Sequence, residues 1–411
     1  MINRTTGNFK QKRQFILTAL FFSFSLLLWA GDKSDAGHGE KYDPVATAMH
    51  HIGDANEFHV FGDFHLPLPV ILYAPDQGLT TCMSSAFHHG HHAVDGYVLD
   101  HGRVKRVKPG QGFPAQGHVE VGEIATEKKM VKIEGKEEEK EKEIPVVNYE
   151  GKNYELEAAS TLAVFGGGFT SFYDFSITKN VFMMILASLL LIFLFFAVAS
   201  AYKKREGQAP SGLQSFIEPF FTFIRDEVSI PMIGEKHYER FQPFVMTLFF
   251  FVLILNLMGL VPFFPGSANV TGNLAVTMTL ALFTFLMTII NGNRHYWEHI
   301  LWMPGIPAWV KVVLTPVEIL GMFIKPFSLM IRLFANITAG HIIILSLIGL
   351  IFIFGDNGNS VGGAFAGGVV GIAFTAFMNL IELIVAFIQA FIFAILSASY
   401  LGAAVEEPHH H

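Results

Sequence analysis

From residue 180 onward the chain alternates long apolar runs with short polar breaks, the pattern of helices that cross a bilayer. Runs near 180–202, 241–264 and 274–290 come close to the ~20 residues that a span needs. Those near 316–354 and 364–404 exceed it. Residues 212–228 (GLQSFIEPFFTFIRDEV) mix apolar and polar side chains at helical spacing, which predicts an interfacial amphipathic helix rather than a span. A continuous helix from Pro316 to Phe354 would measure about 58 Å, against a hydrocarbon core of ~30 Å. It must therefore tilt steeply or break, and Lys325-Pro326 is where a kink would fall. GDNGNSVGG at 355–363 turns the chain into a last segment of about 60 Å, so the two over-long helices make a tilted antiparallel hairpin.

The first 175 residues read differently. Lys10, Lys12 and Arg13 precede the apolar run Phe15–Leu28 and the small pair Ala30-Gly31, so residues 1–30 are expected to form an export signal; an uncleaved membrane helix is the rival reading. Residues 31–175 hold no span. FHVFGDFHLPLPVILY, GYVLDHGRVKRV, KMVKIEG, IPVVNYEG and KNYELEAA alternate as strands do, the last two divided by a Glu-Gly turn. The charge run Lys136–Glu143 (KEEEKEKE) predicts a solvated loop. The fold class expected is an all-α polytopic membrane protein with a small β-rich extramembrane N-terminal extension (31–175) and a membrane channel domain (176–411). That domain has about five membrane helices plus the interfacial one. Lys203, Lys204 and Arg205 close the first span, and the positive-inside rule assigns that end to the cytoplasm. The extension is then extracytoplasmic, in agreement with an export signal, and the C-terminus cytoplasmic. The segment 291–311, with its prolines and tryptophans, is expected as a cytoplasmic loop.

Composition agrees with this division. A 51% hydrophobic content removes the chain from ordinary soluble classes, and a net charge of −7 gives no sign of nucleic-acid binding. Cys82 is the only cysteine, so no intrachain disulfide can staple the extension.

The candidate chemistry lies in the fourth long run. Glu318, Lys325, Arg332, Asn336 and His341 interrupt otherwise apolar sequence. A charge at the bilayer centre costs about 2.5–3.5 kcal/mol on insertion scales, so such a residue is a functional candidate. Glu318, Lys325 and Arg332 are spaced by seven, each about 20° from the last on a helix, and Asn336 follows one turn later. His341 falls on the opposite face. In the last run Glu382 and Gln389 are again seven apart.

NLMGLVPFFPGSANVTGNLAVT (256–277), RLFANITAGH (332–341) and IELIVAFIQAFIFAILSASYL (381–401), three separated blocks in this order along the chain, resemble subunit a of the F-type ATP synthases, with the likeness running from about Phe175 to Val405. The resemblance implies a stator channel subunit in a bacterial inner membrane, an ion-translocating component that is not an enzyme on its own. Its partners would be a c-ring, which the terminal hairpin wraps, the peripheral-stalk subunit b and the lipid bilayer. It implies that Arg332 meets a rotor carboxylate and separates two half-channels, that His341 and Glu382 line the entry path, and that Asn336 and Gln389 order water or orient Arg332. Glu318 is the candidate for the exit path. Many relatives carry a carboxylate where this chain has His341 and a histidine where it has Glu382, so the pair looks exchanged. No cofactor is expected.

Eleven histidines fall in the extension, four of them in HHGHH at 88–92. Imidazoles suit zinc, copper or nickel, yet no cysteine or carboxylate stands at a standard zinc spacing, so the plainer reading is a histidine-rich loop with no metal site. A metal-binding protein anchored in the membrane and a secondary transporter are the alternative functions. No HExxH occurs, and no internal repeat of the transporter kind is visible. No function attaches to His409–His411.

Overall fold

The computed structural model describes residues 53–61, 64–132, 139–160, 170–261, 266, 268–303, 305–356 and 360–407. The expected export signal, His409–His411 and most of the loop around Pro262 and Pro265 lie outside the described residues. The extension is built from β1 (Glu57–Phe61), β2 (Phe64–Pro67), β3 (Pro69–Ala74), β4 (Gly78–Met83), β5 (His92–Val94), β6 (Tyr97–Asp100) and β7 (Arg103–Val107). It continues with β8 (His118–Glu120), β9 (Ile124–Lys132), β10 (Glu139–Tyr149), β11 (Lys152–Ala158) and β12 (Tyr173–Asp174). They form a ribbon β1-β2, a seven-stranded sheet β8-β5-β6-β7-β11-β10-β9 and a three-stranded sheet β12-β3-β4.

Local turn chemistry sets the hairpin registers. Asp95-Gly96, His101-Gly102 and Glu150-Gly151 each hold two successive positive φ angles, as a two-residue turn matching strand twist requires. One turn was expected at Glu150-Gly151, where it occurs. Of the charge run expected to loop, residues 136–138 lie outside the described residues, and Glu139–Glu143 extends β10 instead. The register runs from Glu139 opposite Lys132 to Val147 opposite Ile124 along β9. Inside the sheet, buried Arg106 donates from Nη2 to Asp76 Oδ2 at 2.6 Å and lies over the Tyr97 ring. Its hydrogen bond holds the Asp76 carboxyl below the ordinary carboxylate range.

Among the described residues, five helices are long and apolar enough to cross a membrane. They are α1 (Lys179–Lys204), α4 (Tyr238–Gly259), α5 (Leu274–Asn291), α7 (Ala308–Phe354) and α8 (Val361–Val405). Between α1 and α4 stand α2 (Leu213–Phe223), a wider turn Ile224–Ser229 and the short α3 (Ile230–Ile233). The wide turn reaches back five residues, from the Ile230 N–H to the Arg225 carbonyl, so the expected amphipathic helix does not run unbroken to 228. The expected loop 291–311 also needs correction, since it contains α6 (Arg294–Trp302). Asn293 accepts from the Tyr296 N–H and Arg294 pairs with Glu298 one turn on, two signals that start and hold a short helix.

Neither Pro316 nor Pro326 breaks α7, which begins eight residues before the expected start. Each proline removes one N–H from the ladder, a loss that neighbouring helices can absorb. At 47 residues α7 is about 70 Å long, so of the two outcomes open to the sequence, tilt is the one that fits. It packs most closely on α8. On that contact Gly367 and Gly371, one turn apart, let backbones meet: a Cβ on either would stand 2.7 Å from the carbonyl of Leu350 or Leu347.

The extension docks on one end of the bundle. Phe58 and Leu68 join Met183 and Ala187 of α1, Leu255 of α4, and Ala268 and Val270 of the α4–α5 connection in one apolar cluster. The Lys179 N–H donates to the Ala55 carbonyl at 2.8 Å, and the Asn180 N–H to Asp54 Oδ1.

Because no side chain fits between α8 and the Leu347 carbonyl, Gly371→Leu should destabilise the hairpin by about 1–3 kcal/mol. Thermal unfolding in detergent tests this; an unchanged midpoint would contradict the close approach.

Candidate functional site: a polar axis along the α7–α8 hairpin

Antiparallel packing brings the two faces of the hairpin to different surroundings. His341, on the inner side of α7, meets Glu382 of α8, with Nδ1 and Oε1 2.7 Å apart. Glu382 is 4% exposed and the His341 side chain 16%. With the carboxylate ionised, Nδ1–H donates to Oε1; with the carboxyl protonated, its O–H donates to Nδ1. The same contact therefore survives transfer of a proton between the partners. The second carboxyl oxygen, Oε2, is buried and has no protein partner among the described residues.

Local sequence makes room for this pair. A Cβ at Gly340 would lie 2.8 Å from Glu382 Oε1, so only glycine leaves the carboxyl where it stands. A Cβ at Gly259 would lie 4.0 Å from His341 Nε2, so that nitrogen faces the end of α4 nearest the extension. Thr338 donates to the Gly272 carbonyl at 3.4 Å, which ties the same stretch of α7 to the α4–α5 connection. One helical turn past Glu382, the Ala386 carbonyl accepts from Asn256 Nδ2, and Asn256 Oδ1 accepts from Thr271. Gln389 is buried a further turn along α8.

Arg332 has a different setting. It is partly exposed, with Leu329, Met330, Leu333 and Ile337 buried around it. Among the described residues it has no ion pair or hydrogen bond, and Tyr400 of α8 lies within its electrostatic reach. Asn336, one turn on, is exposed. Large apolar side chains stand exposed along both helices, among them Phe323, Phe327 and Ile331 of α7 and Phe377, Leu380 and Ile384 of α8.

Towards the other end of the bundle a third polar group gathers. Lys325 Nζ lies 5.8 Å from the Tyr400 ring centre. The two border a cavity of about 20 Å³, also lined by Thr284, Thr288 and Tyr296, with room for one water. Ser397 and Thr284 share a hydrogen bond beside it. Glu318 is half-exposed and does not line this cavity.

The structure thus joins His341 to Glu382 and keeps Gln389 on the same helix as Glu382, while Arg332 lies nearer Tyr400, Asn336 is exposed and Glu318 stands apart. Asn256, Thr271, Gly340 and Tyr400 carry contacts that spacing did not single out. Asn256 alone had a visible signal, an amide inside an apolar run. Among the described residues, the only cluster suited to a metal lies in the extension, at Glu57, His65 and His89.

A family model described as ATP synthase A chain matches residues 181–402, which include every candidate in the hairpin. A second, described as a Domain of unknown function (DUF8433), matches residues 47–133. A protein named ATP synthase subunit a from Chloroherpeton thalassium is 44% identical over 244 residues, covering 58% of this chain and 69% of the relative. One of that name from Myxococcus xanthus is 43% identical over 243 residues, 58% of this chain and 76% of the relative. A third, from Anaeromyxobacter sp. strain Fw109-5, is 36% identical over 334 residues, 78% of this chain and 70% of the relative. The last alignment is too long for the channel domain alone and reaches into the extension.

Removing one partner of the His341–Glu382 contact orphans the other in a buried place. His341→Leu and Glu382→Leu should each cost about 1–3 kcal/mol, whereas the double variant should recover part of that loss. Strictly additive unfolding free energies would contradict the pairing.

Proposed function

This chain belongs to the ATP synthase A chain family, and we propose that it is the stator channel subunit of a rotary ATP synthase. It carries protons through two offset half-channels to and from the carboxylates of a rotating c-ring. The chain is the ion-translocating component of that complex and not an enzyme by itself. The observation that carries this reading is Arg332, a permanent cation in an apolar hairpin with no acid of its own chain beside it among the described residues. A guanidinium does not deprotonate in proteins, so the positive charge stays wherever the helix puts it. Its stabilising carboxylate must come from another polypeptide, and the exposed apolar surface around it suits a neighbouring helix.

A proton enters from the side of the extension through His341 and Glu382, whose contact holds whichever partner carries it. It moves past Gln389 and neutralises a ring carboxylate, which can then face lipid at far lower cost than an ionised one. After rotation a carboxylate approaching from the other side meets Arg332, gives up its proton and is held as an ion. Arg332 also blocks direct leakage, since a fixed positive charge repels a migrating proton. Asn336 orders water or orients the guanidinium from the exposed face. The exit path begins near Glu318, about 21 Å from Arg332 along α7. Peripheral-stalk subunit b anchors the chain, the membrane is a bacterial inner membrane, and the extension stands outside with the C-terminus in the cytoplasm. Lys203, Lys204 and Arg205, exposed at the end of α1, favour that orientation.

The exchanged pair gives this reading a specific consequence. His341→Glu with Glu382→His should retain more proton-driven ATP synthesis in vesicles than either single variant; the absence of any rescue would contradict their joint role. Arg332→Ala should abolish that synthesis while the complex still assembles. Intact synthesis would overturn the proposal.

A further inference from the structure

The extension brings together three side chains from separate segments. Glu57 lies on β1, His65 on β2, and His89 in the short helical turn Ser84–Gly90 that leads into β5. One ligand atom from each lies within 4.8 Å of the other two. The closest approach between Glu57 and His89 is 3.5 Å, from Oε2 to Nδ1. That is longer than a good charge-assisted hydrogen bond. It is close to the edge of a tetrahedron whose centre lies ~2.1 Å from each ligand, roughly 3.4 Å. The His65 and His89 rings meet at 4.4 Å between centres, tilted by 54°.

The backbone holds His89 there at a cost. His88 and His89 both adopt positive φ, 43° and 57°, an uncommon pair for side chains that carry a Cβ. Gly90 then passes so close to the Leu99 carbonyl that a Cβ would stand 2.6 Å from it. The turn is therefore clamped against β6, and His89 is directed back to the β1-β2 ribbon. Strained non-glycine residues of this kind gather where a ligand is held.

We infer that Glu57, His65 and His89 bind a divalent transition metal, Zn²⁺ by ligand type, at a three-ligand site with one open position. Two imidazoles and a carboxylate suit zinc and disfavour magnesium or calcium, which take oxygen ligands. The Glu57 side chain is 17% exposed and that of His89 54%, so an ion has access from solvent. The metal joins the seven-stranded sheet to the ribbon whose Phe58 packs on the membrane helices. Its binding therefore fastens the extension to the end of the bundle where His341 lies. HHGHH supplies only His89 to this site.

The test uses the full chain in detergent with His409–His411 removed, because those residues bind the same ions. Zn²⁺ titration by calorimetry, with the metal content of the protein measured after dialysis, should give one site per chain. Bound Zn²⁺ should also raise the unfolding temperature. Glu57→Gln, His65→Ala and His89→Asn, the last chosen because asparagine tolerates positive φ, should each weaken binding at least about tenfold and remove the thermal shift. His91→Ala should leave both unchanged. Far-UV circular dichroism without metal checks that each variant is folded, and the mild Glu57→Gln keeps the test open should a histidine variant misfold. No binding by the parent chain, undiminished binding by Glu57→Gln, or an equal loss in His91→Ala would overturn the inference.

Discussion

A guanidinium with no counter-ion among the described residues, carried on an apolar helix, is the constraint to which the rest of this architecture answers. Burying Arg332 unpaired is costly, and leaving it in water would require an end of the helix that lies many residues away. The hairpin leaves Arg332 partly exposed beside Tyr400 of α8 and Asn336 exposed, while small residues bring α8 close against α7. The same close packing buries the contact between His341 and Glu382. Polar and apolar demands are thus satisfied by one helix pair with two unlike faces.

The extension gives the bundle a defined end. Phe58 and Leu68 close over α1, α4 and the α4–α5 connection, next to the stretch that lies against His341 and Thr338. Any group that stiffens or loosens the β1-β2 ribbon therefore acts one contact away from the channel helices. The match to DUF8433, over residues 47–133, contains that ribbon and the turn bearing His89.

Much of this was legible from side-chain spacing. The long apolar runs, the hairpin turn at Glu150-Gly151 and the ionisable residues inside apolar sequence all declare themselves, because each is a local violation or a local rule. Spacing also put His341 opposite the Arg332 face. It did not show that Gly340 clears the space for Glu382, since that depends on how near a second helix comes. Nor did it show that Glu139–Glu143 pairs as a strand, since the partner that pairs with it is β9, a separate segment. The start of α6 was hidden among prolines and tryptophans, although Asn293 and the Arg294–Glu298 spacing were its signals. Glu57, His65 and His89 are scattered in sequence; the β1-β2 ribbon brings the first two together and the strained turn at His88-His89 adds the third.

The central claim, that a moving polypeptide faces Arg332, is most directly tested by cross-linking. With Cys82 replaced by serine, cysteine at the exposed position of Asn336 should cross-link to a ring subunit in the assembled complex, whereas cysteine at buried Leu329 should not. A cross-link from Leu329, or none from Asn336 in a complex that retains its ring, would contradict the account.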